Sequence, residues 1–182
     1  MKYSHSIVLG AALFSLALWS QEEKIEEKQT ITVEELLSRL HHANQDEISA
    51  GKLAKEKGTS KAVKDFGNHL VKEHRKADKL VTDLAAQKGV KLGAGPKSAR
   101  DAGQVAKGYL TAGELKVLSG EKFDDAFLKS MKTSHEDIIH LLESAETDDL
   151  QARKLIDRLL PDLKTHLSRA EALEATEATK KR

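Results

Sequence analysis

From Thr32 onward, apolar side chains recur at steps of three and four residues, the spacing that lines one face of an α-helix. Four such stripes follow one another. Thr32 and Glu35 have the spacing of a capping box. Behind them Leu36, Leu40, Ala43, Ala50 and Ala54 form the first stripe, with Glu47 set into it. Gly58-Thr-Ser60 ends that helix and caps a second, whose stripe is Val63, Phe66, Leu70, His74, Ala77, Val81 and Leu84, closed by Gly89. The third opens at Ser119-Gly120 and runs through Phe127, Met131, His135, Ile138, Leu142 and Ala145. Asp148, with Gln151 three residues on, is expected to cap the fourth. Its stripe is Ala152, Ile156, Leu159, Leu163, His166, Ala170 and Leu173. Pro161 removes one backbone hydrogen bond from that helix and predicts a kink, with a break into two shorter helices as the competing reading.

The two helix pairs are joined by short turns, so each pair is antiparallel. Between the pairs lie residues 90–120, about thirty residues and too long for an ordinary bundle turn. Ser98 with Asp101, and Thr111 with Glu114, predict short capped helical pieces inside it. One long crossover between the second and third helices is the connectivity of a ferritin-like antiparallel four-helix bundle, so the expected fold class is all-α over residues 32–175.

The ends read differently. Lys2 precedes an apolar run from Ile7 to Trp19, roughly 13 residues and short of the roughly 20 that span a bilayer. This is the layout of a secretory signal peptide over residues 1–20, an uncleaved anchor being the other reading. The mature chain is then expected in the periplasm or cell envelope, without an integral membrane segment. Residues 21–31 form a charged leader and 176–182 a polar tail.

Composition narrows the chemistry. Charged residues make up 32% of the 182 and aromatics 4%, which suits helix better than sheet. Thirty Lys and Arg against 29 Asp and Glu leave a formal charge of +1, no footprint for nucleic acid or an anionic membrane surface. There is no cysteine, so disulfides, thiolate metal sites and a Cys nucleophile are excluded. No phosphate-cradling glycine loop, Ser-His-Asp arrangement or His-Glu-x-x-His motif is present.

What remains is one polar residue on each apolar stripe: Glu47, His74, His135 and His166. Counted from the turns, Glu47 and His74 differ in height by roughly 5 Å, and His135 and His166 by about one helical turn. Three imidazoles and a carboxylate at one level suit a single zinc, iron, manganese or copper ion. A metal-free hydrogen-bond network is the alternative. Asp124 is stripe-compatible but lies roughly 16 Å along the axis from His135 and reads as a helix-start anion. Asp78, one turn after His74, either orients that ring or is a surface carboxylate. His41, His42, His69 and His140 fall off the stripes and read as solvent-facing, and Met131 as core.

At these residues the chain resembles a family of exported bacterial proteins catalogued as a domain of unknown function. The resemblance rests on Leu40-x-x-Ala43-Asn44-x-x-Glu47-Ile48-x-x-Gly51-x-Leu53-Ala54, Val63-Lys-x-Phe66 with Glu73-His74, Ser119-Gly120-x-x-Phe123-Asp124-x-x-Phe127-Leu128 with His135, and Leu160-Pro161-x-Leu163-x-x-His166-Leu167. It covers about Thr32 to Ala172 and departs mildly at Glu73, where Asp would match. It implies a ferritin-like bundle and export, often labelled outer-membrane or periplasmic, and brings no established activity. By family position it marks Glu47, His74, Asp124, His135 and His166. A di-iron centre needs two Glu-x-x-His pairs and two further Glu, which this chain lacks, so ferroxidase activity is not expected. The two functions left are a metal-handling or stress-protective envelope protein with one transition-metal ion, and a non-catalytic envelope protein that meets a protein partner through its crossover or an exposed helix face.

Overall fold

A computed structural model describes residues 29–93 and 112–180. The expected signal peptide, most of the charged leader, much of the crossover with its Ser98–Asp101 piece, and the last two residues lie outside the described residues. The chain is mostly helical. Helix α1 spans Val33–Lys57 and α2 Lys61–Lys88. A short α3 covers 112–117, the later of the two expected pieces. Helix α4 spans Gly120–Ser144 and α5 Leu150–Lys180. Two-residue strands, β1 at Gln29–Thr30 and β2 at Ala145–Glu146, pair in parallel, Gln29 opposite Ala145.

The caps set where each helix begins. Thr32 accepts from the Glu35 amide at 3.1 Å and Ser60 from the Val63 amide at 3.1 Å, as their spacing predicts. The fourth long helix differs: Asp149, not Asp148, accepts from the Gln151 and Ala152 amides, at 2.9 and 3.0 Å. Gly89 ends α2 in the left-handed conformation, φ 67°, which a glycine enters without a Cβ clash. Helix α5 runs unbroken through Pro161, so the two-helix reading is set aside. It also continues to Lys180 through the expected tail, where Thr176 and Thr179 bond back to carbonyls and Lys180 pairs with Glu177. At the other end Ile31, expected in the leader, is buried in the core.

Helix α1 packs on α2 and α4, and α5 packs on α4 and α2. Their ends give the directions. The β1–β2 pair joins the start of α1 to the end of α4, and Lys88 at the end of α2 pairs with Asp149 at the start of α5. Neighbouring helices are therefore antiparallel, while α2 and α4 run the same way. The connection from Gly89 to Gly120 consequently starts at one end of the helices and finishes at the other. At that far end Asp124, 3% exposed, accepts from the Thr59 amide at 2.9 and 3.1 Å and from the Ser60 amide at 3.1 Å. It caps the neighbouring helix rather than stabilising its own. The Lys57 ammonium bonds the carbonyls of Leu115, Lys116 and Leu118, fixing α3 there.

Helices α1 and α2 cross at two glycines. A Cβ on Gly51 would stand 2.7 Å from the Gly67 carbonyl oxygen, and one on Gly67 would stand 2.6 Å from Ala54 Cβ. The backbones thus approach more closely than any side chain would permit. Two apolar clusters fill the interior. One gathers Leu36, Leu40, Val81, Leu84, Ile138, Ile156 and Leu163. The other is built on Phe66, Leu70, Phe123, Phe127, Met131 and Ala170, with Phe123 and Phe127 stacked at 6.0 Å. On every long helix the chain leaves one cluster and enters the other across a polar position: Asn44 and Glu47 on α1, His74 on α2, His135 on α4, His166 on α5.

Replacing Asp124 with Ala leaves the Thr59 and Ser60 amides without their buried carboxylate. Urea denaturation of Asp124→Ala is expected to show a loss of about 1.5–3 kcal/mol. A loss below about 0.5 kcal/mol would contradict this capping role.

Candidate metal centre

The polar positions meet in one layer. Side-chain nitrogens of His74, His135 and His166 all lie within 4.8 Å of one another. The ring centroids are 5.5 Å apart for His74–His135, 5.2 Å for His74–His166 and 5.3 Å for His135–His166. All three residues are buried, at 3, 1 and 3% exposure. Glu47, also 3% exposed, borders them: Oε2 is 3.7 Å from His74 Nε2, and Oε1 is 3.4 Å from His135 Nδ1. The three histidines expected at one level are thus together, and Glu47 stands against two of them.

Hydrogen bonds fix which nitrogens are free. His74 Nδ1 donates to Asn44 Oδ1 at 2.9 Å. His135 Nδ1 donates to the Met131 carbonyl at 2.7 Å, one turn earlier on α4. Each bond assigns the proton to Nδ1 and leaves Nε2 with a lone pair, the arrangement by which outer contacts orient metal-binding histidines. The buried side-chain atoms without a hydrogen-bond partner, among the described residues, are Nε2 of His74, Nε2 of His135, Nδ1 of His166, Oε2 of Glu47 and Nδ2 of Asn44. Four of these five are metal-ligand atoms on the four residues singled out in the sequence. A tetrahedral ion bonded at about 2.1 Å sets its ligand nitrogens roughly 3.4 Å apart, so small side-chain adjustments close the set.

Burial also sets the charge. It pushes the Glu47 carboxyl up to about 8; the Ser134 hydroxyl opposes this and the Asp46 carboxylate adds to it. Burial holds His135 down at about 4, partly offset by the Met131 carbonyl. His166 is held down at about 4 by burial, then by His135 and His69. His74 lies well below its usual range, through burial first and then the three neighbouring imidazoles. At neutral pH the rings are therefore neutral, each with one nitrogen lone pair, the form that binds a metal ion.

Several residues are placed differently from expectation. Asp78 accepts from His41 Nδ1 and from Gln45 Nε2, each at 2.7 Å, so it orients His41 and not His74. His41 is accordingly half-buried. His69 is half-buried rather than fully exposed, and its ring meets His166 edge-on at 5.3 Å. Asp124 stands among the α2 cap amides, away from the histidines. Met131 packs in the apolar core, and its carbonyl serves His135. Asn44, the residue that orients His74, is named in the sequence only within the family motif and without a role; it lies one turn before Glu47 on the same face.

A protein-family profile described as a domain of unknown function, DUF4142, matches residues 20–173. No curated protein and no solved structure matches the chain.

The shifted groups predict a pH optimum for the metal-free protein. Between 6.5 and about 4 the unfolded chain holds imidazole protons that the folded chain refuses, so stability falls as pH falls. Between 4.5 and about 8 folded Glu47 keeps a proton the unfolded chain has lost, so stability falls as pH rises. Three imidazoles outweigh one carboxyl below 6.5, and the carboxyl acts alone above it. Urea melts in the presence of a chelator should place maximum stability near pH 6.5, with a decline to either side. A flat profile from pH 5 to 8 would contradict the assigned shifts.

Proposed function

The chain belongs to the DUF4142 family, and from that premise we propose that it is an exported, ferritin-like helical-bundle protein that binds one transition-metal ion through His74, His135 and His166, with Glu47 as the adjacent carboxylate. The observation that carries this reading is the convergence of three buried histidines, each with a partnerless nitrogen, with a partnerless Glu47 oxygen 3.7 Å from His74 Nε2. Satisfying such atoms is worth about 1–3 kcal/mol each, and one ion would satisfy the three imidazole nitrogens with the Glu47 carboxylate alongside. The antiparallel neighbours and the end-to-end connection before α4 support the ferritin-like arrangement. Export to the periplasm or envelope rests on the amino-terminal signal layout. Among the described residues, no helix is long and apolar enough to cross a membrane.

The residues fit one ion rather than two. A di-iron carboxylate centre takes four carboxylates with its two histidines; this layer offers three histidines and one buried carboxylate. Ferroxidase activity and iron storage are therefore not proposed. Zinc, iron, manganese and copper all accept this donor set, and the ion would supply a Lewis-acid or redox centre. The role we favour is metal handling or protection at the envelope. The competing role is a non-catalytic envelope interaction protein whose polar layer holds no ion.

Titration of chelator-treated protein with each of the four ions separates these roles. The proposal expects one ion per chain and a stabilisation of about 3 kcal/mol at a hundredfold excess over Kd. His74→Ala and His166→Ala should abolish both. If no ion is taken up, and the same substitutions cost only the roughly 1–3 kcal/mol of a lost hydrogen-bond network, the metal reading is wrong.

A further inference from the structure

Beside the histidine layer lies a cavity of about 260 Å³. Its lining includes Asn44, Glu47, His74, His135 and His166, together with the apolar Leu40, Leu80, Ile138 and Leu159. An ion held by the three histidines keeps one tetrahedral position open, with Glu47 Oε2 beside His74 at 3.7 Å. The partnerless donor in the layer is Asn44 Nδ2, on a residue 5% exposed that lines the same cavity. A buried donor calls for an oxygen acceptor.

Charge points the same way. A divalent ion, three neutral imidazoles and one carboxylate leave a single positive charge in a layer closed above and below by apolar clusters. One further anion cancels it. Hydroxide would do so but would leave the leucine and isoleucine wall facing water. The volume exceeds the roughly 150 Å³ of an apolar cavity that takes up benzene. The other charges lining the cavity, Arg158 and Lys76 against Glu73 and Asp162, balance in sign and leave the net charge to the layer itself.

We propose that this cavity binds a small monocarboxylate with an apolar body of about the size of benzoate. One carboxylate oxygen bonds the ion, the other accepts from Asn44 Nδ2, and the body lies against Leu40, Leu80, Ile138 and Leu159. The inference rests on the metal reading, and its test keeps the two apart. Zinc-loaded protein is titrated with sodium benzoate, sodium acetate and benzyl alcohol in a calorimeter, after zinc content has been measured.

Benzoate is expected to bind one-to-one, at least tenfold tighter than acetate, which lacks the body, and at least tenfold tighter than benzyl alcohol, which lacks the charge. Ala43→Phe and Ala77→Phe, at two alanines lining the cavity, should weaken benzoate at least tenfold while zinc stoichiometry stays at one, which also shows that the variants fold. Zinc bound with benzoate no tighter than acetate overturns this proposal and leaves the metal reading standing. So does undiminished benzoate binding in a filled variant that holds zinc. Protein that takes up no zinc overturns both.

Discussion

Everything in this fold converges on a layer of polar atoms enclosed between two apolar clusters. Five buried donors and acceptors there lack a hydrogen-bond partner. At about 1–3 kcal/mol each, leaving all of them unmet would cost as much as the whole stability of an ordinary domain, about 5–15 kcal/mol. An apolar residue at His74, His135 or His166 would remove that position's share of the penalty. A chain that keeps one such residue on each long helix, at one height, has a layer suited to a shared guest. One metal ion, as proposed, would meet the three imidazole lone pairs at once beside the Glu47 carboxylate.

The rest of the structure brings the layer into register. Caps at Thr32, Ser60 and Asp149 fix where three of the long helices start, and hence the height of each polar side chain. Close contact at Gly51 and Gly67 draws α1 onto α2, so that Asn44 reaches His74. Asp124 ties the start of α4 to the α1–α2 turn, joining the two hairpins at one end. The β1–β2 pair and the Lys88–Asp149 ion pair join them at the other. Within the layer, contacts from Asn44 and the Met131 carbonyl turn the rings and set their protons, so the lone pairs are presented rather than found by chance.

Much of this was legible in the sequence because helical periodicity reports two things, the face a residue occupies and its height from the nearest turn. Those two coordinates suffice to place Glu47, His74, His135 and His166 together. They are silent on hydrogen bonds between residues far apart in sequence. Asp124 illustrates the limit: its place near a helix start suggested its own helix dipole, whereas its acceptors serve amides 64 and 65 residues away. Asp78 lies one turn from His74 on α2, yet its carboxylate meets His41 and Gln45 on α1, a contact that helical spacing within α2 does not report. His69 falls off its stripe yet reaches His166, since an imidazole is long enough to cross the edge of a helix face. The adjacent aspartates 148 and 149 differ by one residue in cap position, below the resolution of any periodic pattern.

The most direct test of the central claim is anomalous diffraction at the zinc edge from crystals of the zinc-loaded protein. A single peak bonded at about 2.1 Å to Nε2 of His74, Nε2 of His135 and Nδ1 of His166 is the predicted result. A zinc-loaded crystal whose anomalous peaks all lie at surface residues, with the three imidazoles bridged by water alone, would contradict it.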